Sequence, residues 1–187
     1  FGRVPVYPAS PFGSLSHVGP MTRTVHDAAL MLSVIAEPDS RDAFSLPFEG
    51  RNYAEVIEGG TEELRIAFSP NLGYAKVDEE VAVIVENAVK SFSGLGVKVK
   101  EINPGFENPI DVFRSHWYVG AAYILANMSD KQRALVDPGL QQVAKIGNGI
   151  KMNDYISNGL LRSQLCVTMR KFHEEFDILL TPTMPLP

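Results

Sequence analysis

The chain has 187 residues, 45% apolar and 21% charged, with 15 Gly, 13 Pro and a single cysteine, Cys166. That is enough length and apolar content for a sizeable core. A net charge of −5 excludes a general nucleic-acid surface, which needs a basic excess, and one cysteine excludes an internal disulfide or a cysteine-built metal cage.

Residues 1–21 are rich in Gly, Pro and Ser and read as an irregular, turn-filled segment. A helix is predicted from about Thr22–Thr24, with Thr24 as cap and Asp27 three places on completing a capping box. Its buried face runs through Val25, Ala28, Ala29, Leu32 and Ile35, and it stops before Pro38. Residues 37–63 read as a long connection. "LRIAFS" (64–69) reads as a strand, and residues 77–96 as a helix capped by Asp78 with Glu79 and Glu80 in its first turn. "VKVKEI" (97–102) alternates as a second strand, and strand–helix–strand in this order predicts a parallel crossover.

Asn108 and Pro109 open a helix to about Met128, and Ser129 caps a short one through Val136. The stretch after it, with Pro138, Gly139, Gly147 and Gly149, reads as loose. Asn153 is predicted to cap the longest helix, to about Phe176, with Leu161, Leu165, Phe172 and Phe176 on its core face. "DILL" (177–180) is a short buried strand that "TPTMPLP" breaks off. The order predicts an α/β fold with a mixed or parallel sheet layered between helices.

The longest apolar run, "WYVGAAYILANM", is shorter than the ~20 residues that span a bilayer, so no membrane contact is expected. The single thiol and the lack of a legible secretory leader fit a cytoplasmic protein. Residue 1 is Phe rather than Met and the chain stops just past a strand, so it is read as a fragment: one partial domain over 1–187.

Chemistry is harder to find. "SLSHVGPMTRTVHDAALML" (14–32) gathers the residue types of a Ser–His–Asp triad in Ser16, His17 and Asp27. It has no Gly-x-Ser-x-Gly elbow, neighbouring side chains at 16 and 17 diverge in extended backbone, and Asp27 is engaged at the helix start. His17, His26, His116 and His173 have no metal-ligand spacing, and the glycines match no phosphate loop, so no metal and no cofactor is expected. Asp39 and Asp42 read as a solvated loop, and Cys166, mid-helix, as a small core thiol.

The same window and its flanks resemble the amidase signature family. "FGRVPVYP" is similar to that family's Gly-Arg-Val segment, and "GPMTRTVHDAALML" to its Gly-Pro-Met-x-Arg-Thr-Val-x-Asp and Ala/Leu-rich helix. "DSRD" (39–42), "LRIAFSPNLGYAKVDEEV", "VKSFSGLGVKVKEI" and "FDILLTPTMPLP" match later family motifs in the same order. The resemblance is weakest across 106–152.

It implies the amidase signature fold, incomplete in this chain, and hydrolysis of a carboxylic amide to acid and ammonia or amine by a Ser–cis-Ser–Lys triad. In the family that triad precedes the Gly-Arg-Val segment. This chain has no Ser-Ser pair, its one Gly-Gly (Gly59-Gly60) is followed by Thr61, and its lysines lie on the wrong side of that segment. No catalytic residue is therefore assigned, and the missing N-terminal portion of the fold is the expected partner of this piece.

The resemblance also assigns substrate contacts. Arg162 occupies the position, relative to Asp177, of an arginine that pairs with the substrate carboxylate in glutamine-using members. Thr181, Thr183 and Met184 follow the last strand, where pocket walls of α/β sheets lie, and Trp117 is a further lining candidate. The expected partner is a small-molecule amide, and a homodimer is left open. Two alternatives stand beside the amidase reading: a degenerate scaffold, and the ammonia-generating subunit of a tRNA-dependent amidotransferase. The latter is disfavoured because that subgroup has Asp where this chain has Ser16.

Overall fold

Strand β1 (Ile66–Phe68) lies at the centre of a three-stranded parallel sheet, between β2 (Val99–Glu101) and β3 (Ile178–Leu180). Ile66 pairs with Val99 on one side and with Ile178 on the other. All three residues of β1 are buried, as expected of a strand covered on both faces. Of the two arrangements open in the sequence, the parallel one forms among the described residues. The computed structural model describes residues 1–57, 59–61 and 63–187.

The chain divides into two units. One comprises Phe1–Gly59 and Phe113–Tyr155, the other Gly60–Val112 and Ile156–Pro187. The sheet belongs to the second. There β1 leads to α3 (Glu79–Ser91), whose cap Asp78 accepts from the Glu80 amide at 3.0 Å, as predicted. Helix α7 (Met152–Glu175) returns the chain to β3. Its C-terminal Phe172, with Phe176, packs on Ala67 of the central strand, flanked by Ile102, Met169 and Leu179.

Three readings of α7 are corrected. The helix starts at Met152, so Asn153 lies inside it rather than capping it. Leu161 is half exposed, and Cys166 is an exposed thiol rather than a core one. The reason is common to the last two. Apolar residues run around most of the helix circumference, and only its Phe172 end meets the sheet, leaving Ile156, Leu160 and Val167 exposed.

The first unit is built on α1 (Val25–Ile35), the short α2 (Tyr53–Val56), most of α4 (Ile110–Ala126), α5 (Asp130–Arg133) and α6 (Pro138–Asn148). The Thr24 hydroxyl accepts from the Asp27 amide at 3.1 Å, one arm of the predicted box. The two-way box forms at Ser129 and Gln132 instead. Asn108 caps α4 through a 3.1 Å bond from the Ile110 amide.

Helix α6 stands where a loose stretch was expected. Its breakers occupy the positions that tolerate them. Pro138 is in the first turn, the Asp137 carboxylate accepts from the Gly139 and Leu140 amides, and Gly149 follows the last residue. Gly147 has a steric reason to be glycine, since a Cβ there would overlap the Tyr118 carbonyl of α4. Ala122, Leu125 and Ala144 form the core where these two helices pack.

The connection after α1 is not merely solvated. It folds back on the N-terminal segment. Asp42 accepts from the Val6 amide at 2.8 Å and the Phe44 amide at 2.9 Å, the Leu46 amide bonds the Gly2 carbonyl, and Arg3 pairs with Glu49. Asp39 is held by the Arg41 guanidinium, which lies 4.7 Å from the Tyr7 ring centre. The two aspartates of "DSRD" are therefore loop anchors.

Candidate functional site

In open α/β sheets, ligand crevices lie beyond the carboxyl ends of the strands. In the second unit those ends lead to Ser69, Asn103 and Thr181. The Ser69 amide bonds the Leu180 carbonyl and the Ile102 amide bonds the Phe68 carbonyl, extending the ladder past the strands. Fully buried Ser69 donates its hydroxyl to Asn103 Oδ1 at 2.7 Å and accepts from the Leu72 amide at 2.8 Å. This fixes a tight turn with Leu72 (φ 57°) and Gly73 (φ 85°) in the left-handed region.

Ser69 and Asn103 escaped sequence reasoning. The available signal was a polar residue closing an apolar strand just before a Pro-Asn turn.

Thr181, Thr183 and Met184 leave β3 at this carboxyl edge, as predicted. Thr181 is half-buried, while Thr183 and Met184 are exposed. The tail that carries them is pinned by a 2.8 Å bond from the Asp78 amide to the Pro185 carbonyl.

A cavity of about 290 Å³ lies in the same unit, between residues 106–112 and α7. Its apolar lining comes from Phe106, Val112, Leu161 and Leu165. Arg162 is half-buried on α7. At 3.6 residues per turn it sits about 100° round the helix from Leu161, beside the cavity-lining stripe rather than within it.

Trp117 belongs to the first unit. Its ring stacks with Phe12, at 4.2 Å, and with Phe113, at 5.6 Å, both nearly parallel to it. Nearby, the His116 ring packs 5.0 Å from Tyr155, and the neighbouring Ser115 hydroxyl lies 3.3 Å from His116 Nδ1. His17 Nδ1 is 3.1 Å from the Leu15 carbonyl, within its own loop, and Asp27 sits in the first turn of α1. Among the described residues there is no group of three His, Cys, Asp or Glu placed to hold a metal ion. No helix there is long and apolar enough to cross a membrane.

A two-pronged carboxylate–guanidinium pair lies at the opposite, amino edge of the sheet. Asp177 accepts from the Arg65 amide at 2.8 Å and from its guanidinium at 2.8 and 3.0 Å, while Arg65 also donates to the Glu174 carbonyl. These hydrogen bonds hold the Asp177 carboxyl down at about 2 and raise the Arg65 guanidinium. A carboxyl depressed from 3.8 stabilises the fold above that value, and the contribution fades as pH falls toward 2. The pair is largely exposed, so salt weakens it. Urea unfolding of Asp177→Asn between pH 2 and 5 should show a flatter loss of stability on acidification than wild type. Equal slopes would show that Asp177 contributes nothing to acid sensitivity.

These features define an α/β chain with a parallel sheet and, in the same unit, a cavity between residues 106–112 and α7. The fold is that of the amidase signature enzymes. A bacterial aryl acylamidase of that family superposes with a TM-score of 0.81 over 98% of this chain and 40% of that structure, at 26% identity.

The chain belongs to the Amidase family, whose sequence profile matches residues 1–187. It is 33% identical to an acylamidase of Rhodococcus erythropolis over 94% of its own length. It is 41% identical to a glutamyl-tRNA(Gln) amidotransferase subunit of Ligilactobacillus salivarius over 55% of its length. It spans 37% of the length of the acylamidase and 21% of that of the amidotransferase subunit.

Proposed function

We infer that this chain is one partial domain of a cytoplasmic amidase that hydrolyses a small linear carboxylic amide to acid and ammonia or amine. The observation that carries this is the family match along the whole chain, joined to similarity with an acylamidase over nearly all of it. In this reading the Ser–cis-Ser–Lys device lies outside these residues, and the chain supplies scaffold and part of the substrate pocket. The sequence supports this, for it holds no Ser-Ser pair and no Gly-Gly-Ser run. Exposed apolar residues on α3 (Val83, Ile84) and α7 (Leu160, Val167) are consistent with a surface that further parts of the fold cover.

Thr181, Thr183 and Met184, which follow β3, are taken as substrate contacts in the longer enzyme. Arg162 receives a carboxylate carried elsewhere on the substrate, since its planar fork matches that group. In the longer enzyme, Arg162→Ala should raise KM for carboxylate-bearing amides about tenfold and leave KM for simple aliphatic amides unchanged. An unchanged KM for every carboxylate-bearing amide would remove Arg162 from the site.

A second reading, the ammonia-supplying subunit of a tRNA-dependent amidotransferase, is favoured by the similarity to one of the subunits of such an enzyme. Ser16, where that subgroup has Asp, weighs against it. Ammonia release from a panel of simple amides by the longer protein, without tRNA or further subunits, decides between them. Release supports the amidase, and activity that appears only with a partner supports the amidotransferase.

A further inference from the structure

We propose that Ser69 and Asn103 are a positioning pair that, through the loop after β1, holds residues 181–184 in place as one wall of the substrate site. What those residues contact rests on the amidase reading. How they are held rests on hydrogen bonds within the second unit.

The segment after β3 cannot fix its own path. Residues 181–187 belong to no helix or strand, and Pro182 and Pro185 have no amide to donate. Two main-chain bonds grip it instead, one at each end. The Ser69 amide donates to the Leu180 carbonyl at 2.9 Å, and the Asp78 amide donates to the Pro185 carbonyl at 2.8 Å. Both donors belong to the loop 69–78, so the shape of that loop sets the path of the four residues between.

That shape depends on the Ser69 hydroxyl. The loop turns through Leu72 and Gly73 in the left-handed region, where a leucine is disfavoured. Asn103 Oδ1 takes the one hydroxyl proton at 2.7 Å, which turns the oxygen's lone pairs toward the Leu72 amide at 2.8 Å. Ser69 is fully buried, so a bond lost there is not replaced by water. Asn71 completes the turn. Its carbonyl accepts from the Tyr74 and Ala75 amides at 3.1 and 2.8 Å, and its side chain from the Gly73 amide at 2.8 Å. Asn103 lies against this turn, for a Cβ on Gly73 would be 3.4 Å from its Nδ2.

The test uses the longer protein, with Asn103→Ala removing the acceptor and Asn103→Asp keeping one. Asn103 is exposed, so both variants leave the core intact. In Asn103→Ala the amides of residues 71–78 should exchange hydrogen about tenfold faster, while those of residues 66–68 keep wild-type rates. KM for simple amides should rise about fivefold with kcat within about twofold of wild type. Ser69→Ala should behave alike, and Asn103→Asp should recover both readouts.

A role in stability alone would lower the active fraction, and hence kcat, at unchanged KM. That pattern, wild-type exchange across 71–78 in Asn103→Ala, or no recovery in Asn103→Asp would overturn the assignment. A longer protein that hydrolyses no amide would instead remove the amidase reading, and with it the wall's contact with substrate. The exchange rates would still decide whether the pair holds the loop, so the two failures are distinct.

Discussion

Replacing Gly147 by Ala should destabilise the chain by about 3 kcal/mol, the upper end for forcing extra volume into a packed contact. The added Cβ would overlap the Tyr118 carbonyl, with the Val119 amide nitrogen 3.1 Å away. These are backbone atoms of α4, and no side-chain rotation relieves them. Helix propensity pulls the other way. Ala in place of a helical Gly gains about 0.5–1 kcal/mol, less than the steric cost.

Gly159 is the matched control. It lies within α7, and a Cβ there would meet nothing within 4 Å. Gly159→Ala should therefore raise stability by about 0.5–1 kcal/mol. One substitution, made twice, is expected to act with opposite signs. Urea denaturation of both variants checks this. Equal or greater stability of Gly147→Ala would show that α4 and α6 do not approach so closely.

The contrast also shows where sequence reasoning reached. Elements with a local signature were legible. Thr24, Asp78, Asn108 and Ser129 all cap as read, because a cap involves residues two or three apart. The buried run at β1 and the placement of Thr181 after β3 were legible for the same reason. Helix α6 was missed because Gly147 is explained by Tyr118, on another helix, and not by its own neighbours. Leu161 and Cys166 were misplaced because a helix with apolar residues on most sides does not say which side is covered.

Of the candidate site, the residues that follow β3 could be placed and the rest could not. Ser69 with Asn103, and Arg65 with Asp177, are partners 34 and 112 residues apart. The cavity joins residues 106–112 to residues 161–168 of α7. Contacts of that span leave no periodicity in a single sequence, while the family motifs, being local, do.

The largest functional effect is expected from the catalytic serines and lysine, which the proposed function places outside these residues. An amide hydrolase accelerates its reaction on the order of 10⁶-fold or more, and acyl transfer needs a nucleophile, its base and an oxyanion site together. Among the described residues, no hydrogen bond joins Ser16, His17 and Asp27, and His17 Nδ1 lies instead against the Leu15 carbonyl of its own loop. Scaffold and pocket walls alone position a substrate without attacking it. On the proposed reading, the longer protein should therefore show the whole acceleration and the 187 residues none.

The direct test is ammonia release from acetamide and benzamide by two proteins, the isolated 187 residues and the longer protein that contains them. Circular dichroism would confirm helix in both. The account predicts no release above the uncatalysed rate from the isolated chain and robust turnover by the longer protein. Turnover by the 187 residues alone, or a longer protein inert toward every amide, would contradict it.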